Sequence, residues 1–148
     1  MEMAVIGIVV AIVVLLYMLA IHPSCRRAAR EAKREVRYYA HRGLYDNNSD
    51  APENSLRAFA LAAEAGYGIE LDVRLTKDGV PVVFHDPELG RVCGCSGSIE
   101  ELNATQTDAL RLLGTDQKVP RLQEVLSLVN GRVPLLVEYK MENMDATV

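Results

Sequence analysis

The chain has 148 residues and a formal net charge of −4, which suits one modest domain. Its basic residues gather in one block near the amino terminus while the remainder is acidic, a pattern unlike a nucleic-acid-binding surface. Three cysteines are too few for a disulfide framework and agree with a reducing compartment.

Residues 3–21 carry no charge and are rich in Val, Ile and Leu. At about 1.5 Å per residue they are long enough to cross a hydrocarbon core of about 30 Å, so residues 1–22 are predicted to form a transmembrane anchor. A cleaved signal peptide fits less well, since Glu2 precedes the run, no Lys or Arg does, and no small-residue cleavage site follows. A buried core helix would be expected to show amphipathicity. His22-Pro23 ends the span. Residues 23–37 form a basic linker, with Arg26, Arg27, Arg30, Lys33, Arg34 and Arg37 opposed only by Glu31 and Glu35. By the positive-inside tendency the amino terminus lies outside and the rest of the chain in the cytoplasm, the linker against anionic headgroups. A solvated helix with charges at helical spacing is compatible with that placement.

From residue 38 the pattern changes. Tyr38-Tyr39-Ala40-His41-Arg42-Gly43 reads as a short strand ending in a histidine, a cation and a glycine. After a polar loop, Asn54-Ser55 can cap a helix with Leu56, Phe59, Ala60 and Ala63 on one face, closed by Gly66. Ile69, Leu71 and Val73 then alternate with Glu70, Asp72 and Arg74, a strand with one greasy and one charged face. Glu70 and Asp72 share that charged face. Roughly 6 to 7 Å apart, they repel by about 2 to 3 kcal/mol at an effective dielectric near 20, which a chain tolerates where a cation sits between them. A wet-faced strand would explain the acids taken alone.

Asp78-Gly79 marks a tight turn, and residues 80–84 form a β-branched run ending on His85-Asp86, which brings an imidazole near the carboxylates. The connection is too short for a helix. The loop 87–97, with Cys93-Gly94-Cys95, carries no metal-ligand spacing. Ser98 with Glu101, and Thr105 with Asp108, read as capping boxes. Pro120 starts a helix with the apolar face Leu122, Val125, Leu126 and Val129, ended by Asn130-Gly131. Residues 133–140 form a fourth strand whose Glu138 and Lys140 share a face. All four strands thus end in ionisable residues, as in a parallel β/α barrel with a site at the carboxyl rim of its strands.

His41-Arg42-Gly43, Pro52-Glu53-Asn54-Ser55, Glu70-Leu71-Asp72 with Leu75-Thr76-Lys77-Asp78-Gly79, His85-Asp86 and Glu138-Tyr139-Lys140 resemble the ordered motif set of the glycerophosphodiester phosphodiesterases. The resemblance runs from about Tyr39 to Lys140. It implies an α/β fold, here a partial TIM-type (β/α) barrel of about four strands after one transmembrane helix, and hydrolysis of glycerophosphodiesters to glycerol 3-phosphate and an alcohol. It implies that Glu70, Asp72 and Glu138 hold one divalent cation, that His41 and His85 form the acid/base pair, that Arg42 and Lys140 face the phosphate, and that Asn54 supports the site. Three carboxylates without thiolates suit a hard ion, Mg²⁺ or Ca²⁺.

Such a barrel takes about 250 residues, so residues 38–148 are expected to be a catalytic domain incomplete at its carboxyl end, with exposed sheet edges. Two other readings compete. One is a noncatalytic, membrane-tethered interaction or ligand-binding module, and the other a related phospholipase acting on intact lipids.

Overall fold

The computed structural model describes residues 2–21 and 38–140. The expected basic linker at 23–37 and the segment 141–148 lie outside the described residues. The chain divides into two units, residues 1–35 and 36–148.

In the first unit, helix α1 spans Glu2–Ile21. Its described side chains, Gly7 and residues 10–18, are all exposed. The expected transmembrane anchor, with the amino terminus outside and the catalytic domain in the cytoplasm, is overturned: among the described residues no helix is long and apolar enough to cross a membrane.

The second unit runs β1 (Tyr39–His41), α2 (Leu56–Glu64), β2 (Gly68–Leu75), β3 (Pro81–Val83), α3 (Gly90–Cys93), a 3-10 turn (Ile99–Glu101), α4 (Ala104–Thr107), α5 (Leu122–Val129) and β4 (Leu135–Tyr139). β2 is the central strand, paired in parallel with β1 and β4 and antiparallel with β3. The expected strand at 80–84 therefore exists but runs against the others, because the four-residue turn around Asp78-Gly79 can only reverse the chain. The Thr76 amide donates to the Val80 carbonyl and the Thr76 hydroxyl accepts from the Val80 amide, closing that turn.

Backbone polarity decides which strand lies where. Along β2 the amide of Ile69 and the carbonyl of Val73 bond to Pro134 and Lys140, on the β4 flank. The amide of Gly68 and the carbonyl of Asp72 bond to Tyr38 and Phe84, so β1 and β3 share the opposite flank. β1 stops at His41, opposite Glu70, and the returning β3 brings Phe84 opposite Asp72. The ends of two strands thus converge on one edge of β2, β1 ending in His41 and β3 followed two residues on by His85.

The greasy face of β2 meets two helices. Ile69, Leu71 and Val73 pack with Phe59, Ala62 and Ala63 of α2 and with Val125 and Val129 of α5. Ser55 caps α2 by accepting from the Ala58 amide. The buried face of α2 is Ala58, Phe59, Ala62 and Ala63, rotated from the expected set so that Ala60 is only half-buried. In α5, Leu126 stays exposed, and Asn130 ends the helix in the left-handed conformation. The expected second capping box is also displaced, to Asn103 with Gln106, since the Asp108 carboxylate is engaged by Arg121. The charged face of β2 is no wet face: Glu70, Asp72 and Arg74 are all buried.

A second apolar cluster, Val82, Phe84, Leu89, Val92, Ile99, Leu112 and Val119, anchors the long 86–119 excursion onto β3. It gives the His85 loop a packed base instead of leaving it a surface flap.

Gly43 is required by both its backbone and its surroundings. Its φ is 87°, and an added Cβ would stand 2.8 Å from Ala58 Cβ and 2.9 Å from the Ala58 carbonyl carbon. Gly79 has a similar φ of 78° but open space around it. Gly43→Ala should therefore cost about 2 kcal/mol or more, combining backbone strain with overpacking, and Gly79→Ala only the backbone part, about 1 kcal/mol. Urea unfolding of the two variants checks this, and equal losses would contradict the close approach of α2 to the loop after β1.

Candidate active site

Register alone places the acids. Asp72 pairs with Glu138 across β2 and β4, and Glu70 lies two residues before Asp72 on the same face. One carboxylate oxygen from each of Glu70, Asp72 and Glu138 lies within 4.8 Å of the others. Asp72 is 1% exposed, whereas the Glu138 side chain, on the edge strand, is 55% exposed. The cluster therefore has a buried floor and an open side.

Asp72 shows how the floor is compensated. Its Oδ2 accepts from Asn54 Nδ2 at 3.1 Å and lies 3.4 Å from Arg42 Nε. Its Oδ1 is buried and accepts no hydrogen bond, with the Lys140 ammonium 3.3 Å away. Asn54 Oδ1 and Arg42 Nε are likewise buried without a hydrogen-bond partner. Orphaned buried polar atoms are rare and call for an explanation. An all-oxygen set of three carboxylates with an unsatisfied buried lone pair fits a hard divalent cation.

Glu70 is held from the β1 side. Its Oε2 accepts from the backbone amide of Arg42 at 3.0 Å and lies 3.9 Å from His41 Nε2. Arg42 can aim its amide there because it adopts φ 57°, a left-handed conformation that a bulky residue keeps only where its surroundings enforce it. Gly43 then lets the chain turn closely against α2. His41 itself is 65% exposed at its side chain and faces the open side.

The predicted phosphate-facing cations are placed differently from one another. The Arg42 guanidinium points down, to Asp72 and to Glu53 Oε1 at 3.1 Å. Lys140 lies at the rim, with its ammonium 2.5 Å from Glu138 Oε1. That hydrogen bond, with Asp72 adding to it, raises the Lys140 pKa above its ordinary value.

His85 arrives on the β3 return and is gripped at both ends. Its backbone carbonyl accepts from Nε and Nη2 of the buried Arg74, at 3.1 and 3.0 Å. Its Nδ1 lies 2.7 Å from Asp86 Oδ1. Arg91 in turn donates to both Asp86 oxygens, Nε to Oδ2 at 2.6 Å and Nη2 to Oδ1 at 2.9 Å. The Arg91 hydrogen bonds are the main reason that the Asp86 pKa falls from 3.8 to about 2. Asp86 is therefore an anion at neutral pH and can only accept, so Nδ1 is the donor and Nε2 is left free.

Arg91 also donates to Glu53, which is 4% exposed and accepts from Asn47 Nδ2 as well. Burial pushes the Glu53 carboxyl up, but the Arg91 and Asn47 hydrogen bonds outweigh it and hold the pKa below its ordinary value.

Sequence reasoning missed four of these residues. Glu53 and Asp86 stand inside recognised motifs without an assigned task, Arg74 enters only as part of an alternation, and Arg91 lies in the loop 87–97, whose sequence shows no metal-ligand spacing. A cation five residues after His85-Asp86, followed by an apolar residue that can dock the loop, was the available signal. The Cys93-Gly94-Cys95 segment stays bland: both thiols are free, and burial pushes Cys93 up to about 11.

Comparison with known proteins identifies a family. Residues 41–147 match the family described as glycerophosphoryl diester phosphodiesterase. The chain is 35% identical over 136 residues to human glycerophosphodiester phosphodiesterase 1, covering 84% of this chain and 40% of that protein. It is 35% identical over 115 residues to a Bacillus altitudinis glycerophosphodiester phosphodiesterase, covering 73% of this chain and 46% of the relative. Among solved structures, an Oleispira antarctica phosphodiesterase in complex with the product sn-glycerol-3-phosphate superposes with a TM-score of 0.62 at 32% identity, over 70% of this chain and 44% of that one. The Agrobacterium tumefaciens glycerophosphodiester phosphodiesterase gives 0.63 at 35%, over 70% and 47%. The chain thus spans less than half the length of these relatives.

The Asp86 shift is also a statement about stability. A carboxylate whose folded pKa is depressed stabilises fully above its unfolded value of 3.8, and that contribution is lost as pH falls towards about 2. Asp86→Asn should flatten this part of the acid limb and leave the stability above it independent of pH through this group. Urea midpoints measured between pH 2 and pH 6 test it, and an unchanged acid limb would mean that the ion pair does not form.

Proposed function

Because this chain belongs to the glycerophosphoryl diester phosphodiesterase family, we propose that it carries the metal and acid/base half of a site that hydrolyses glycerophosphodiesters to glycerol 3-phosphate and an alcohol. The observation that carries the reading is the convergence of Glu70, Asp72 and Glu138 around a buried carboxylate oxygen without a hydrogen bond. The product found in the Oleispira enzyme supports the substrate class. The sheet is read as the opening segment of a (β/α) barrel, with the site at the level where β1 and β4 end.

Glu70, Asp72 and Glu138 would hold one divalent cation, Mg²⁺ or Ca²⁺. When bound, such an ion supplies positive charge against the nonbridging oxygens of the diester. The remaining steps belong to side chains of this chain. Lys140, at the open rim, adds fixed positive charge where the phosphate would sit, and Arg42 does so from beneath through its contact with Asp72. Asn54 keeps the Asp72 carboxylate oriented through Oδ2. His41 and His85 divide the proton work, one taking the proton of the attacking oxygen and the other giving one to the leaving alkoxide. For His85 the exchanging atom is Nε2, since Nδ1 is engaged by Asp86. An imidazole suits both tasks because its neutral ring carries one N–H donor and one acceptor nitrogen.

Assay of the full chain on glycerophosphocholine, with and without EDTA, tests this reading. Turnover should vanish with chelator and return with Mg²⁺ or Ca²⁺. Glu70→Gln should abolish metal-dependent turnover. His85→Ala should lower the rate by about 10² to 10⁴ while the substrate still binds. Activity indifferent to EDTA, or a His85→Ala effect confined to KM, would overturn the assignment.

A further inference from the structure

We propose that Arg91 is a positioning residue for His85, locking the imidazole in the Nδ1–H form by bridging the carboxylate behind His85 to the buried carboxylate behind Arg42. The inference rests on the proposed function only for its kinetic consequence, since the structural part concerns the imidazole itself.

Two separate loops carry the two halves of the site. The end of β1 and the loop after it present His41 and Arg42, and Glu53 stands behind Arg42. The loop after β3 presents His85, with Asp86 behind it. Arg91 touches both supporting carboxylates: its Nε and Nη2 engage the two Asp86 oxygens, and Nη2 also reaches Glu53 Oε1. A continuous ionic chain therefore runs from Asp72 through Arg42, Glu53, Arg91 and Asp86 to His85. The planar guanidinium is the group suited to this place, because two of its nitrogens match the two oxygens of one carboxylate in a fixed fork with donors left for another, whereas the donors of an ammonium all radiate from one nitrogen.

The arrangement separates orientation from folding. The peptide of His85 is fixed independently by the Arg74 fork on its carbonyl. The loop is docked by Leu89 and Val92 in the second apolar cluster. Loss of the Arg91 guanidinium would leave the strand end in place and release Asp86, which could then swing away from Nδ1. An imidazole without that acceptor populates both neutral forms, and in the Nε2–H form its free nitrogen no longer faces the site. Glu53 would keep Arg42 and Asn47 as partners, so the first loop should change less.

The test uses Arg91→Met and Arg91→Lys in the full chain. The first readout is ¹⁵N NMR of the imidazole nitrogens at a pH where His85 is neutral. The unsubstituted chain should show the Nδ1–H pattern, Arg91→Met a mixture rich in Nε2–H, and Arg91→Lys an intermediate population. The second is steady-state turnover, where Arg91→Met should lower kcat about 10- to 100-fold with KM within about threefold, and Arg91→Lys should recover part of the loss. An unchanged imidazole pattern in Arg91→Met, or a loss confined to KM, overturns the proposal. If Arg91→Met fails to fold, Arg91→Lys decides, because an ammonium has its donors on one nitrogen and cannot reproduce the planar fork onto both Asp86 oxygens while reaching Glu53; a pure Nδ1–H signal in that variant would refute the bridging role. Absence of turnover in the unsubstituted chain would defeat the proposed function, and the imidazole signal would still decide the part played by Arg91.

Discussion

The structure depends on the burial of negative charge at the middle of β2. Asp72 is almost fully enclosed and Glu70 nearly so, and carboxylates in such positions are strongly destabilising unless hydrogen bonds and opposite charges meet them. Much of the surrounding chain meets that demand: the Arg42 amide turned onto Glu70, Asn54 and the Arg42 guanidinium on Asp72, and Lys140 at the rim. The left-handed conformations of Arg42 and Asn54 fit the same logic, since each residue accepts backbone strain while it contacts a buried acid. Even so, one Asp72 oxygen stays without a hydrogen bond. The Asn54 and Arg42 side chains that contact Asp72 each carry an orphaned buried atom as well, so the shortfall gathers around this carboxylate, a pattern that fits a hard cation.

The second constraint is topological. A strictly parallel sheet would have sent the strand after β2 through a helix and away from β1. The short turn at Gly79 instead folds β3 back along the flank that β1 has vacated, and His85 comes to the edge where His41 ends. The reversal leaves a long connection to α5, and its apolar residues collapse into a separate cluster. The segment that carries Asp86 and, in α3, Arg91 is thereby packed onto β3 through Leu89 and Val92.

Much of this was legible along the chain because it is local. Alternation at 69–74, the cap at Ser55, the Asn130 terminator and the turn at Asp78-Gly79 are properties of neighbouring residues, and each stands where expected. Departures occurred where a residue had a distant partner. Thr105 did not cap because Asp108 is engaged by Arg121. Ala60 and Leu126 left the apolar faces because the sheet, not the helix, decides which stripe is covered. The apolar segment at the amino terminus is helical over Glu2–Ile21, yet the membrane span read from its composition is not upheld.

The sequence by itself determined the order of the elements, the sharing of one face by Glu70 and Asp72, and the family, because periodicity and motif order need no third dimension. Only the tertiary structure decided that the charged face of β2 is buried, that β3 runs backwards beside β1, and that Glu53 and Asp86 meet at Arg91. These residues lie 38 and 5 positions from Arg91. Their contact exists because strand register and a packed loop bring opposite charges together, the Arg91 side chain remaining half-exposed over the buried Glu53, and no local pattern encodes that meeting.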